Sequence, residues 1–484
     1  MDRSDRIARH TFTIFIIMFA AGLIRYFYKI SMARMLGVRG YGLLSAVEPF
    51  MVITASLTLT GLAAALAKYL SEEIAKNDMK TAERYIATAL FYIFPLAIGV
   101  SVFIFFSSGF IAEVIFHEPD LEVLIKIIVL IFPLEALWLV IDGVFLGYQE
   151  SPYFTFSLFT FNVGLLSAAI LLVRMGMGAE GAVAAIVIGD VLGLVSAYLI
   201  YLRKFKKKIS LRHGEKSVAL LKNLVNFAIP KTISSVSVMI LMSFDVFCIT
   251  YFLGVTYSGL YNAAVPVARV LLSVSSSICL PLLPAVSEDM AKEKVYVSKY
   301  LSDAVKYVSA ATLPLVIVFV VYSKEIILLF FGEPYTDASH ALMILSVAML
   351  LMAYCTVFAV TFQGMGKPQI PMKITVFVVF FNILLNVYLI PRIGITGAAF
   401  STVASMLLSF VYLSYRIREY ADYGESKPDI LKIGILSFFV FVIALIFDRM
   451  FLIGTVLGLA FYGFFIIKYK IIDIRKFVSV SEKR

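Results

Sequence analysis

Runs of about 20 consecutive apolar residues recur from one end of this 484-residue chain to the other, and no other feature limits its fold so strongly. A helix of about that length crosses a bilayer core roughly 30 Å thick while pairing every backbone N–H and C=O with its own backbone. Hydrophobic residues make up 61% of the sequence and charged residues only 15%. With a mean hydropathy of +0.94, this is too much apolar surface for water to be the solvent. Strands of a membrane barrel would read as segments of about 10 residues alternating apolar and polar. These runs are twice as long and apolar on most faces, so the expected fold class is an all-α polytopic membrane protein.

Fourteen spans are expected, near 11–32, 43–67, 85–106, 122–146, 153–173, 181–202, 224–252, 258–283, 303–322, 339–362, 370–391, 395–416, 430–447 and 451–469. The formal net charge of +10 does not point to nucleic acid, because the basic residues collect in alternate loops. Of the 42 Lys and Arg, 31 fall on the side of the N-terminus, in tails, alternate loops and adjoining helix ends, and 6 fall on the other side. By the positive-inside rule both termini are expected in the cytoplasm, with the chain in the cell membrane. The N-terminal Arg3, Arg6 and Arg9 run into a span too long for a signal-peptide core, so it is expected to persist as the first helix. Cys248, Cys279 and Cys355 lie inside apolar runs, where a thiol acts as a small hydrophobe. The four histidines, at 10, 117, 213 and 340, are too scattered for a dyad or a metal cluster.

The loop from Arg203 to Asn223 carries eight basic residues and divides the chain into similar halves. Leu36-Gly37-Val38, Gly42-Leu43, Ala46 and Pro49 recur 217 residues later as Leu253-Gly254-Val255, Gly259-Leu260, Ala263 and Pro266. Phe161-Asn162 is answered by Phe381-Asn382, and Gly147 by Gly364. Six helices per copy is an even number, so the copies would share one orientation, as two lobes about a parallel pseudo-twofold axis that rock to give alternating access. The expected organisation is an N-lobe at 1–202, a basic cytoplasmic linker at 203–223, a C-lobe at 224–417, and two further helices with a cytoplasmic tail at 418–484. The aromatic faces of the last two helices fit lipid contact, or a groove for an isoprenoid tail.

Met32-Ala33-Arg34-Met35-Leu36-Gly37 through Gly42, the stretch Ala63 to Tyr69, and Gly364-Met365-Gly366-Lys367-Pro368 resemble the multidrug/oligosaccharidyl-lipid/polysaccharide superfamily. Within it, two helices beyond the repeat are typical of the polysaccharide transporter family of O-antigen-type (Wzx-like) oligosaccharide flippases. The resemblance implies movement of a polyprenyl-diphosphate-linked oligosaccharide, powered by an ion gradient or the membrane potential. It also implies glycan-assembly proteins as partners.

Ionisable groups inside a bilayer are costly and usually face a wet cavity. Arg25 and Lys29 lie one turn apart in span 1, and Arg269 lies well inside span 8. For the cargo implied by the resemblance, these three are the candidate diphosphate ligands, because a guanidinium fork matches phosphate oxygens. The alternatives are snorkelling, or pairing with Glu48, Glu135, Asp142 or Asp190. A second set, Asp245, Asn382, Asn386 and Thr402, shares a depth of roughly 8 to 14 Å below the outer surface when counted along the helices. One carboxylate with neutral oxygens suits a monovalent cation. The resemblance implies a Na⁺ site there, with Asn386 where related flippases carry Asp, so the coupling ion is left open between Na⁺ and H⁺. Helix-to-helix hydrogen bonding is the structural alternative for these residues.

Outer loops such as 107–121 and 323–338 are too short for a catalytic domain, which argues against a membrane glycosyl-polymerising enzyme. A multidrug or cation antiporter of the same superfamily is the competing transport reading. It would favour an acidic cavity, whereas Arg25 and Arg269 favour an anionic cargo.

Overall fold

The computed structural model describes residues 3–50, 52, 61–210, 215–279, 281–291, 296–448, 450–469 and 471. Among them every long element is a helix and there is no strand. Among the described residues eleven helical stretches are long and apolar enough to cross a membrane, one of them, the 54-residue Ser151–Lys204, long enough to cross twice. Residues 51 and 53–60 of the expected span 43–67 lie outside those described, as do residues 1–2 and most of the C-terminal tail. Large apolar side chains lie exposed along the helices, Phe106, Leu384, Ile446 and Val456 among them, as lipid allows and water does not. The helices form two compact units, Met1–Gly259 and Leu260–Arg484, so the basic linker falls within the first.

The first unit contains α1 (Arg3–Ala46), α2 (Gly61–Ala75), α3 (Met79–Phe110), α4 (Leu121–Ile128), α5 (Ile131–Gly147), α6 (Ser151–Leu172), α7 (Gly178–Lys204) and α8 (Val218–Leu253). Gly37 breaks α1 with φ 69° and ψ 179°, a conformation open to glycine and strained for any side chain. Gly254, its counterpart in the repeat, takes nearly the same conformation at φ 89° and ψ 171°. Beyond these breaks the two copies of the motif touch reciprocally. A Cβ on Gly42 would overlap the carbonyl oxygen of Val255, and a Cβ on Gly259 would overlap that of Val38.

Small residues set the other close approaches. Gly143 and Gly147, four apart on one face of α5, lie against Leu66 and Leu70 of α2. Helices α6 and α7 form an antiparallel hairpin whose turn uses positive φ at Gly176 and Gly178. The linker after α7 is docked: Phe205 packs among Phe145, Tyr148 and Tyr153, and the Ser210 N–H donates to Glu83 at 2.8 Å. Asp78 caps α3, accepting from the Thr81 N–H and hydroxyl, and these bonds hold its carboxyl below the usual carboxylate range.

The second unit runs from the body of α9 (Val255–Cys279) through α10 (Leu282–Ala291), α11 (Val297–Val321), α12 (Ser323–Phe330), α13 (Ser339–Gly364), α14 (Gln369–Ile393), α15 (Ile395–Ile417), α16 (Lys427–Ile446) and α17 (Phe451–Lys468). The α14–α15 turn uses Gly394 at φ 66°, the position that answers Gly178 in the first unit. Two tyrosine hydroxyls anchor the last two helices. Tyr322 donates to Ala444 O at 2.9 Å, and Tyr462 donates to Ala310 O at 2.8 Å. Their remaining faces, with Phe438, Leu452 and Phe464 exposed, are apolar.

Candidate functional site

Arg25 is exposed on α1, with its guanidinium carbon 6.0 Å from the ring centroid of Phe161 on α6. Glu48, Tyr28 and Asp190 are its electrostatic neighbours. Lys29, one turn further along, bonds Glu48 at 2.5 Å and is three-quarters or more covered. The pairing alternative thus describes Lys29, whose charge is already engaged, while Arg25 presents its charge on the surface of the unit.

Three more carboxylates lie within the spans of α5 and α7, Glu135, Asp142 and Asp190. Asp190 of α7 is within electrostatic reach of both Arg25 and Glu135 of α5. Asp142, also on α5, is hydrogen-bonded by Trp138, whose indole N–H donates to Ser157 Oγ of α6 at 3.2 Å as well. The sequence offered these carboxylates only as partners for cations. What it did not offer was the approach of α7 to α5 at Gly193, where a Cβ would overlap the Trp138 ring.

Asp245 is buried on α8 in the first unit. In the second unit Asn382, Asn386 and Thr402 are all buried where α14 and α15 pack together. The Asn386 Nδ2 donates to Asn382 Oδ1 at 2.9 Å, and the Thr402 hydroxyl donates to Ala398 O at 3.1 Å. The i, i+4 spacing therefore brings the two asparagines together as expected, bonded to each other. Arg269 is half-buried on α9, three residues after Pro266. Among the described residues no group of three or more His, Cys, Asp or Glu is arranged to hold a metal ion. On the expected outer side, Arg39 bridges Glu118 and Asp120 at 2.7 and 2.9 Å, and the bond to Glu118 raises its pKa.

A family model described as polysaccharide biosynthesis protein matches residues 7–290, and the MatE model matches residues 230–388. An uncharacterized membrane protein of Methanocaldococcus jannaschii, MJ1068, is 24% identical over 96% of both chains. The probable low-salt glycan biosynthesis flippase Agl15 of Haloferax volcanii is 26% identical over 53% of each chain. Among solved structures, lipid II flippase MurJ in an inward closed conformation matches with a TM-score of 0.78, 15% identity and coverage of 94% of this chain and 98% of that one. The family match spans more than half of the sequence, and the protein belongs to the polysaccharide biosynthesis protein family, transporters of the multidrug/oligosaccharidyl-lipid/polysaccharide superfamily.

Proposed function

We propose that the protein is a flippase that carries a polyprenyl-diphosphate-linked oligosaccharide across the cytoplasmic membrane by alternating access between two six-helix lobes, with fourteen crossings in all. The observation that carries this reading is Arg25, a cation held in an apolar helix yet exposed beside Phe161, in a family whose relatives include a probable glycan flippase. A lipid-facing arginine there would be costly, whereas one facing a wet path can receive a diphosphate through two parallel hydrogen bonds. Arg269 would serve as the corresponding cation of the second lobe, and Lys29 would join only by exchanging Glu48 for phosphate. In proteoliposomes, Arg25→Gln should lower flipping of a polyprenyl-diphosphate oligosaccharide by roughly tenfold or more, the loss of one charged hydrogen bond of about 1.5 to 3 kcal/mol. Arg25→Lys should recover part of it. Wild-type rates in Arg25→Gln would sink the assignment.

For coupling, Asp245, Asn382, Asn386 and Thr402 are proposed to bind one monovalent cation, Na⁺ or H⁺, in the second lobe. One observation favours a second reading, the multidrug or cation antiporter: the carboxylates Glu135, Asp142 and Asp190 within the spans of the first unit could attract a cationic drug. Drug movement without lipid flipping in the same proteoliposomes would select it.

A further inference from the structure

Where α3, α5 and α7 come together in the first unit they leave a groove of about 290 Å³, lined by Leu90 of α3, Leu137 and Ile141 of α5, and Leu194, Val195 and Tyr198 of α7. Every lining side chain is apolar except Tyr198, which is exposed and stacks its ring on Tyr201. Ile141 is six residues from the end of α5, Tyr198 six from the end of α7, and Leu90 eleven from the start of α3. The groove therefore lies about 9 to 17 Å in from those ends, on the side where α7 passes into the basic linker.

The linker returns over that side. Tyr148, just past α5, packs on Phe205, and the Ser217 N–H donates to Thr88 Oγ1 of α3 at 3.2 Å. Beside it the Lys216 ammonium stands 3.4 Å from the ring centroid of Phe91, the residue after Leu90. Lys216 is exposed and in no ion pair among the described residues, as are Arg203 and Lys204 at the end of α7. From Arg203 to Ser217 the sequence has seven Lys and Arg against one carboxylate, Glu215.

We propose that this groove holds one chain of an anionic membrane phospholipid, with its phosphate at the level of Lys216. A lining with a single hydroxyl offers an occupant little but dispersion contact, which an alkyl chain satisfies. The volume is at the small end of ligand pockets, roughly 300 to 1,000 Å³, and leaves no room for a glycan. Uncompensated cations beside an apolar groove select a negative headgroup, and the Tyr198 side chain, apolar in body and polar at its tip, suits the boundary between the two. The occupant is bulk lipid and not the cargo, because the groove takes no residue from α1 or α6, which carry Arg25 and Phe161. A lipid held there makes the docking of the linker sensitive to the anionic lipid content of the bilayer. The site requires only that the chain span a membrane and is independent of the cargo reading.

Trp138, the single tryptophan, follows Leu137 and lies against Gly193, the neighbour of Leu194, so a brominated lipid chain in the groove should quench its emission. Full-length protein is reconstituted in bilayers of fixed phosphatidylglycerol and phosphatidylcholine content, with the same amount of brominated chain carried by one lipid or the other. Phosphatidylglycerol should quench with a preference of about fivefold or more, the effect of one lysine near a membrane surface. Lys216→Gln should lower that preference about fivefold. Val195→Phe, which fills the groove from an exposed position, should abolish it. Equal quenching by the two lipids in the wild type, or an undiminished preference in either variant, would overturn the site. A polyprenyl phosphate that abolished the preference at a mole fraction far below that of phosphatidylglycerol would also overturn it, by giving the groove to the cargo. None of these readouts depends on flipping, so this site and the transport reading fail separately.

Discussion

Lys29 and Arg25, one turn apart on the same helix, have taken opposite roles because of what lies beside them. The break at Gly37 turns the chain so that Glu48 comes back to Lys29, and the resulting pair is only partly solvated. Removing either partner would strand a charge in an apolar setting, which is why Lys29 fits a structural pair better than a cargo ligand. The asparagines pose the same question in the second unit. Asn382 Oδ1 already accepts from Asn386, which leaves its second lone pair for a cation. If Asp245 and these oxygens share one Na⁺, then Na⁺, unlike K⁺, should raise the thermal midpoint of the purified protein. Asp245→Asn should remove that shift, and Asn386→Asp, which adds a carboxylate, should enlarge it. Full Na⁺ stabilisation in Asp245→Asn would exclude joint coordination.

Helices here are positioned by what they lack. Gly42 and Gly259 admit a backbone carbonyl each, and because Val38 and Val255 belong to the same repeated motif the crossing is reciprocal. Gly42→Ala and Gly259→Ala should each cost about 1 to 3 kcal/mol, since a carbonyl oxygen in a helix cannot retreat as a flexible side chain can. The two should cost similar amounts, read as matching falls in thermal midpoint. A neutral Gly42→Ala would mean that the motifs do not approach this closely. Such elements were legible beforehand: Leu36-Gly37-Val38 and its copy at Leu253 stand out in the sequence, and the shared backbone conformation at Gly37 and Gly254 gives the repeat a physical reason. The packing around Trp138 was not legible. Helical spacing aligns Trp138 with Asp142, but α7 reaches that face only through packing at Gly193, and a glycine in an apolar run carries no mark of which neighbour it admits. Spacing likewise aligned Asn382 with Asn386 and was silent on whether their amides would bond each other.

At the scale of the whole molecule, orientation in the membrane follows from charge, and the packing says how to measure it. Basic residues number 31 on the side of the termini against 6 on the other, an asymmetry from which the positive-inside rule predicts cytoplasmic termini and a cytoplasmic linker. The linker is nonetheless held to α3 through Ser210 and Glu83, and Ser217 donates its N–H to Thr88 Oγ1 at 3.2 Å, so a probe must avoid those contacts. Lys207 is exposed within it, and Asp337 is exposed in the segment between α12 and α13, on the expected outer side. The three native cysteines are all buried and offer little background. In intact cells an impermeant maleimide should label Asp337→Cys, and should label Lys207→Cys only after permeabilisation. The reverse pattern would invert the topology. It would also turn the polyprenyl-diphosphate reading around, because the basic linker would then stand on the side where the cargo is released, not where it is loaded.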